Sequence, residues 1–341
     1  MGEMIPLYGF GGKSGRASST LTITAPVGAT VTVSKDGKSK PSKVATTGTV
    51  AFKGLETGTW TITITNSTDT ASKTVEIKAD YQAAISFNTI PDFTYTGDFE
   101  IVSDDDQPIT VSQGNWKIRF LTSGTLTFTN LNGAENGIDV FLVGGGSGGG
   151  RAAGGGGYTK TLKAVKVTVG TAYVIVVGAG GIAGVGNSKA GSSGGTSNAF
   201  GASANGGKAN GTASFVGSDG GSGGGASSAN GSGGKGGSDG SDGFNRDGTH
   251  RDSGKGQGTT TREFSESGGK LYAGGGGGCC ISSSKGGEGG EGGGGSGGNT
   301  AANATSGETN TGGGGGGAAN NKAGGSGGSG IVVIRNAREV A

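Results

Sequence analysis

Gly328-Ser329-Gly330-Ile331-Val332-Val333-Ile334-Arg335 is the stretch on which the reading of this chain turns. Its four consecutive β-branched residues describe a strand buried on both faces. They follow a glycine tract that opens at Gly144, directly after a second unbroken apolar run, Val140-Phe141-Leu142-Val143. A third run, Tyr173-Val174-Ile175-Val176-Val177, leads into Gly178 and also reads as a buried central strand. A tract that starts and ends inside one sheet belongs to that sheet's domain, whereas a linker would join two domains.

Composition alone favours a flexible spacer. Most of the 84 glycines lie between Gly144 and Gly330, and that stretch holds no proline. Ordering one backbone residue costs about 1–2 kcal/mol, and glycine buries no side chain in return. A net gain of about 1 kcal/mol per backbone hydrogen bond offsets this only if nearly every NH and CO is paired. Extended threefold rows reach that state when they bond sideways, because glycine has no Cβ to hold neighbours apart and keeps the NH that proline lacks. The absence of a strict third-residue period excludes collagen. Phe200, Phe215, Phe244, Phe264, Leu271-Tyr272 and Ile281 interrupt the tract as apolar anchors. The expectation is a polyglycine-II helix bundle over residues 144–330, carried by strands within 93–180 and 331–335.

Upstream the pattern has period two. Leu21 and Ile23, Val31 and Val33, Val50 and Phe52, then Trp60, Ile62 and Ile64, alternate with Thr, Ser and Lys, as half-buried strands require. Asp36-Gly37 and Glu56-Thr57-Gly58 supply turns. These features predict a small antiparallel β-sandwich over 18–90, preceded by an N-terminal docking arm at 1–17 and followed by a glycine-rich domain at 91–341. The fold class is all-β.

Charge and cysteine content narrow the partners. The formal net charge of +2, from 27 basic and 25 acidic residues among 341, gives no electrostatic case for nucleic acid. No apolar run is long enough to span a membrane, and no hydrophobic signal core opens the chain, so a soluble cytosolic product is expected. Cys279 and Cys280 are the two cysteines, expected as thiols because adjacent cysteines close a strained ring.

Two resemblances emerge from these residues. Ala25-Pro26-Val27-Gly28-Ala29-Thr30-Val31, Gly58-Thr59-Trp60-Thr61-Ile62 and Ala71-Ser72-Lys73-Thr74-Val75 resemble the PEGA-like and Ig-like spacer modules of bacterial surface and phage tail proteins. Trp116 to Phe120, Gly124 to Phe128, Ile138 to Gly146, Gly155 to Lys160, Tyr173 to Gly181 and Gly328 to Arg335 resemble the glycine-rich domain of phage and prophage tail proteins and some animal receptor ectodomains. The second resemblance implies a jelly-roll-like β-sandwich bearing bundled polyglycine helices, used in phage members as a rigid adhesive tip.

Motifs for chemistry fail on inspection. Val174 to Gly184 has the glycine spacing of a dinucleotide loop, but no helix follows and no acid precedes Asp219. Gly12-Lys13-Ser14 lacks the leading glycine and the strand of a phosphate loop. His250 is the single histidine and sits in a polar segment, which leaves a catalytic triad without support. Asp104 to Asp106 could attract calcium but reads as a solvated turn. The expected catalytic, cofactor and metal sites are therefore none.

The functional expectation is a non-enzymatic virion structural and adhesion protein. It would be assembled in the bacterial cytoplasm and exposed on the mature particle, as a phage or tailocin tail-fibre, baseplate or receptor-binding component. Its expected partners are other virion proteins, further copies of itself and a host-surface glycan or protein. Asn245, Arg246, His250, Arg251, Arg262, Phe264 and Tyr272 are the candidate receptor contacts, because they interrupt the glycine text with recognition-capable side chains. A purely architectural decoration protein, head fibre or extracellular filament subunit is the alternative. A hydrolase of surface glycans lacks a convincing acid and base pair.

Overall fold

Period two becomes strands in the first unit. The computed structural model describes residues 19–338, except 26–27, 67–68, 79–81, 87–89, 110–114, 132–133, 135, 213, 228–260 and 282–285. The described residues form two compact units, 19–86 and 90–338. The first contains β1 (Thr20–Thr24), β2 (Thr30–Lys35), β3 (Lys38–Ser39), β4 (Lys43–Val44), β5 (Thr49–Lys53), β6 (Gly58–Asn66), β7 (Asp69–Ile77) and β8 (Gln82–Ser86).

One sheet has the order β5-β1-β8 and the other β3-β2-β6-β7, with β4 also paired to β2. Leu21, Ile23, Val31, Val33, Phe52, Trp60, Ile62 and Ile64 meet between them, so alternation on both sheets feeds one core. One pair departs from the expected antiparallel arrangement: β8 runs parallel to β1, Leu21 opposite Ala83. The chain arrives there from the other sheet, and a crossover between sheets, unlike a hairpin, delivers strands in the same direction.

The second unit contains β9 (Phe93–Tyr95), β10 (Phe99–Val102), β11 (Lys117–Phe120), β12 (Gly124–Phe128), β13 (Ile138–Val143), β14 (Thr159–Val165), β15 (Ala172–Ile175), β16 (Ser197–Ala199), β17 (Ala202–Ala204) and β18 (Ile331–Asn336). A five-stranded sheet, β10-β11-β18-β13-β14, faces a three-stranded one, β15-β12-β9, and β16 and β17 form a hairpin. Ile118, Phe120, Val140, Leu142, Val332 and Ile334 pack with Leu126, Phe128 and Ile175. Strand β18, last in sequence, lies at the centre between β11 and β13, with Val143 opposite Ile331. Every residue of β13 and β18 is buried, as their unbroken apolar text requires.

The Tyr173 to Val177 run behaves differently. Strand β15 is an edge strand, and Val174 is 66% exposed. Apolar continuity reported a β-branched strand correctly but not its place in the sheet, because what covers a face is decided by distant parts of the chain.

Candidate functional site

Gly144 to Gly150 leave the end of β13 as an extended row whose hydrogen bonds rotate through three directions. Gly145 and Gly148 donate to Gly195 and Ser192; Gly146 and Gly149 donate to Gly328 and Gly325; Gly144 and Ser147 donate to Tyr158 and Gly155, all at 2.9–3.0 Å. Every third NH therefore meets the same neighbour, which is the lateral pattern of polyglycine II. The carbonyls of this row accept from three further segments. Gly181 and Gly184 donate to Gly146 and Gly149, Gly315 and Ala318 to Ser147 and Gly150, and Gly207 to Gly145. Each row so surrounded has six bonded neighbours.

The row Gly312 to Ala318 repeats this environment. It donates to Ser147, Gly274, Gly277 and Thr305 and accepts from Gly154, Gly157, Gly295, Gly298, Gly325 and Gly328. Saturated bonding is what offsets the ordering entropy of a segment without a side-chain core. Close approach demands glycine here: a Cβ on Gly146 would lie 2.0 Å from the Gly313 carbonyl oxygen.

The lattice is seated on one end of the sandwich. Val143 pairs with both Thr159 and Ile331 there. The buried Ser197 hydroxyl donates to the Val143 carbonyl at 2.6 Å and accepts from the Gly178 NH at 2.9 Å, while the Gly330 NH donates to the Gly178 carbonyl at 2.8 Å. One serine thus ties both sheets to the first layer of rows. At about 3.1 Å per residue, the seven-residue row Gly144 to Gly150 rises roughly 20 Å from this seat.

At the far end the rows turn and their loops meet. Gly150 donates to the Ala152 carbonyl, Gly186 to Lys322, Asn187 to Asn320, and Ser227 to Phe215. The Arg151 guanidinium lies 4.0 Å from the centre of the Phe215 ring and donates to Asn187. Asn210 donates to the Val216 and Gly217 carbonyls. Phe215, Val216 and Ile281 are each more than two-fifths exposed, and Ile182, on an outward row nearby in sequence, is 68% exposed. The buried thiol of Cys279 lies 3.1 Å from the Ser227 hydroxyl.

Among the candidates read from sequence, Asn245, Arg246, His250 and Arg251 lie outside the described residues. Arg262 is half-buried and donates to the Gly269 carbonyl at 3.1 Å. Phe264 and Tyr272, expected to face a receptor, are internal instead, at 2% and 1% exposure. They pack on Phe141 with ring centres 6.0 and 5.4 Å apart. The reason is the uncovered face of β13: aromatic area in an otherwise polar loop is more stable against Phe141 and Val143 than in water. Phe264 adopts a left-handed φ of 56° to point there.

The same loop covers a charged patch on β11 and β18. Lys117 and Arg119 on β11 are 4% and 6% exposed, and Arg335 on β18 is 2% exposed. Lys117 Nζ contacts Asp106 at 2.5 Å and Glu263 at 2.7 Å. Arg119 reaches Asp106 at 2.5 Å and Glu263 at 3.3 Å, and Tyr272 donates to Glu263 at 3.1 Å. Arg335 bridges Asp139 at 3.1 Å and Glu266 at 2.5 Å, with its guanidinium 4.0 Å from the Phe264 ring centre.

Electrostatic shifts follow from these contacts. Burial opposes ionisation of Asp106, but hydrogen bonds from Arg119 and Lys117 outweigh it and hold the carboxyl below its ordinary range. The Arg335 hydrogen bond does the same for Glu266. Burial, reinforced by Glu263, pushes the Tyr272 hydroxyl well up. The Asp104 to Asp106 turn is thus engaged by Lys117, Arg119 and Arg338. Among the described residues no group of three or more His, Cys, Asp or Glu side chains is arranged to hold a metal ion, and no helix is long and apolar enough to cross a membrane.

The geometry is that of a framework with two kinds of surface: clustered loops at the end of a rigid lattice, and an ion-paired cleft beside its seat. Among curated proteins none matches the chain. The match to the glycine-rich domain family covers residues 121–337, from the last residues before β12 through β18, and so includes the lattice and both strands that bracket it. The chain belongs to the glycine-rich domain family.

Proposed function

We propose that this protein is a non-enzymatic structural and adhesion component of a phage or tailocin particle, a tail-fibre, baseplate or receptor-binding protein. The observation that carries the proposal is the saturated lattice rising from one end of a sandwich and gathering its loops at the other. Such a frame holds recognition loops without a hydrophobic core of its own, so the loops are free to serve contact. Arg151 stacked on Phe215, with Asn187, Asn210 and Lys322 nearby, offers cationic, aromatic and amide groups of the kind that dominate binding surfaces. In this reading the first unit and the N-terminal arm attach the protein to other virion proteins. The host-surface partner is a glycan or a protein.

The test is direct. Antibody to this chain should label native particles by electron microscopy, and purified protein should bind host cells and reduce infection by competition. Absence of both labelling and host-cell binding would reject the proposal. A purely architectural role, as a decoration protein or filament subunit, draws support from the apolar edge at β15, where Val174 is largely exposed. Ordered self-assembly without host binding would favour it.

A further inference from the structure

We infer that the cleft between the Asp104–Asp106 turn and the Gly268–Lys270 turn is a second binding site, separate from the lattice tip, and that it takes an uncharged saccharide. The inference deepens the adhesion reading and rests on it for its biological meaning, while its chemistry stands on the cleft alone. The cleft measures about 520 Å³, within the usual range for small-ligand sites.

Most of its charges are already paired. Lys117 is held by Asp106 and Glu263, Arg335 by Glu266, and Arg338 by Asp104 at 2.5 Å. Asp105 and Lys270, of opposite sign, complete the ionisable lining. At these pairs an anionic ligand would have to displace a carboxylate from its cation, and a cationic ligand would have to displace the cation. Either exchange leaves a desolvated charge unpaired. A neutral ligand avoids both penalties.

What remains available is hydrogen bonding. A carboxylate held by one cation keeps further lone pairs, and a guanidinium has five NH donors, so the lining carries both acceptors and donors. Vicinal hydroxyls, each able to donate and accept, suit a lining that offers both. Arg338 lines the cleft and is held there by Asp104. The Arg335 guanidinium is fixed against the Phe264 ring, so the floor is preorganised and loses little freedom on binding.

The test uses the full chain and three neutral oligosaccharides, maltohexaose, cellohexaose and chitohexaose, with a polysialic acid fragment as the charged comparison. Binding is followed by amide chemical-shift titration. At least one neutral oligosaccharide should bind, with a Kd on the order of millimolar or tighter, and raising salt from about 0.05 to 0.5 M should leave it nearly unchanged. Arg338→Met and Glu266→Gln should each weaken it roughly tenfold, while Phe215→Ala at the tip should not.

Failure of all three neutral oligosaccharides to bind overturns the inference. So does tighter, salt-sensitive binding of the acidic fragment, or neutral binding untouched by both cleft variants. Oligosaccharide binding by a protein that neither labels particles nor adheres to cells would uphold the cleft and reject the adhesion reading. Adhesion lost in Phe215→Ala and kept in both cleft variants, with no saccharide binding, would do the reverse.

Discussion

The Lys117 ammonium lies 2.7 Å from the Glu263 carboxylate, joining β11 to a loop 146 residues further along the chain. Both side chains are almost wholly buried, and Glu263 also serves Arg119 and the Tyr272 hydroxyl. Removing one member of such a pair strands the other in a poorly solvated place. Glu263→Ala should therefore lower stability by about 3–5 kcal/mol. Glu100→Ala, which removes a half-exposed partner of Arg119, should cost about 1 kcal/mol or less. Urea unfolding of the two variants checks the contrast.

Lattice glycines should differ sharply from loop glycines. Gly146→Ala would force a methyl group to 2.0 Å from a carbonyl oxygen, whereas a Cβ on Gly211 meets nothing within 4 Å. The first substitution should cost about 3 kcal/mol or more and the second should stay within about 0.5 kcal/mol of the parent. Equal melting temperatures for the two variants would contradict the six-neighbour packing.

Hydrogen exchange should distinguish a lattice from a spacer. Amides of Gly145, Gly146, Gly148, Gly149 and Gly314 to Gly317 all donate within the rows, so they should open only in cooperative unfolding of the domain and exchange orders of magnitude more slowly than in an unstructured peptide. Uptake at peptide rates across these positions would remove the structural basis of the adhesion proposal.

Acid should weaken the seat of the lattice. The folded carboxyls of Asp106 and Glu266 ionise below their ordinary values of 3.8 and 4.5. Groups depressed in the folded state contribute stability above the unfolded value and lose it as pH falls through the folded one. The urea midpoint should accordingly be flat from pH 7 to about pH 5 and fall below that. Glu266→Gln, which removes one titrating group, should show a shallower fall.

Tip residues should affect recognition and leave stability alone. Phe215→Ala and Arg151→Ala dismantle the stacked pair without touching the saturated bonding beneath it. Unfolding free energy should change by about 0.5 kcal/mol for Phe215→Ala, while binding to host cells falls severalfold. Unchanged cell binding in both variants would move the contact surface elsewhere.

Much of the frame was legible in the sequence, and for a physical reason. Val140 to Val143 and Ile331 to Ile334 bracket the glycine tract, and two buried strands of this kind mark it as part of their own domain. The rows were foreseeable because those flanking strands argue for an ordered tract, and lateral pairing of its amides is what offsets the ordering cost. Side-chain destinations were not. Phe264 and Tyr272 looked like recognition residues, yet they seal the uncovered face of β13. Lys117 and Arg119 alternate like a wetted face, yet Glu263 and Asp106 bury them. Both depend on a partner far along the chain, and a local pattern carries no record of such a partner. The tip loops were missed because Arg151, Asn187, Phe215 and Lys322 converge only once the rows are counted out and back.

Glycine has no handedness, and the rows exploit this: Gly181 and Gly184 run alongside Gly146 and Gly149 in the same direction, whereas Gly195 and Ser192 run against Gly145 and Gly148. A scaffold indifferent to polarity accepts a returning segment in any vacant position, with no register to preserve beyond one step of three residues. Each far-end turn becomes a socket that tolerates exchange of its contents, so the molecule can diversify what it displays while the grid underneath stays constant.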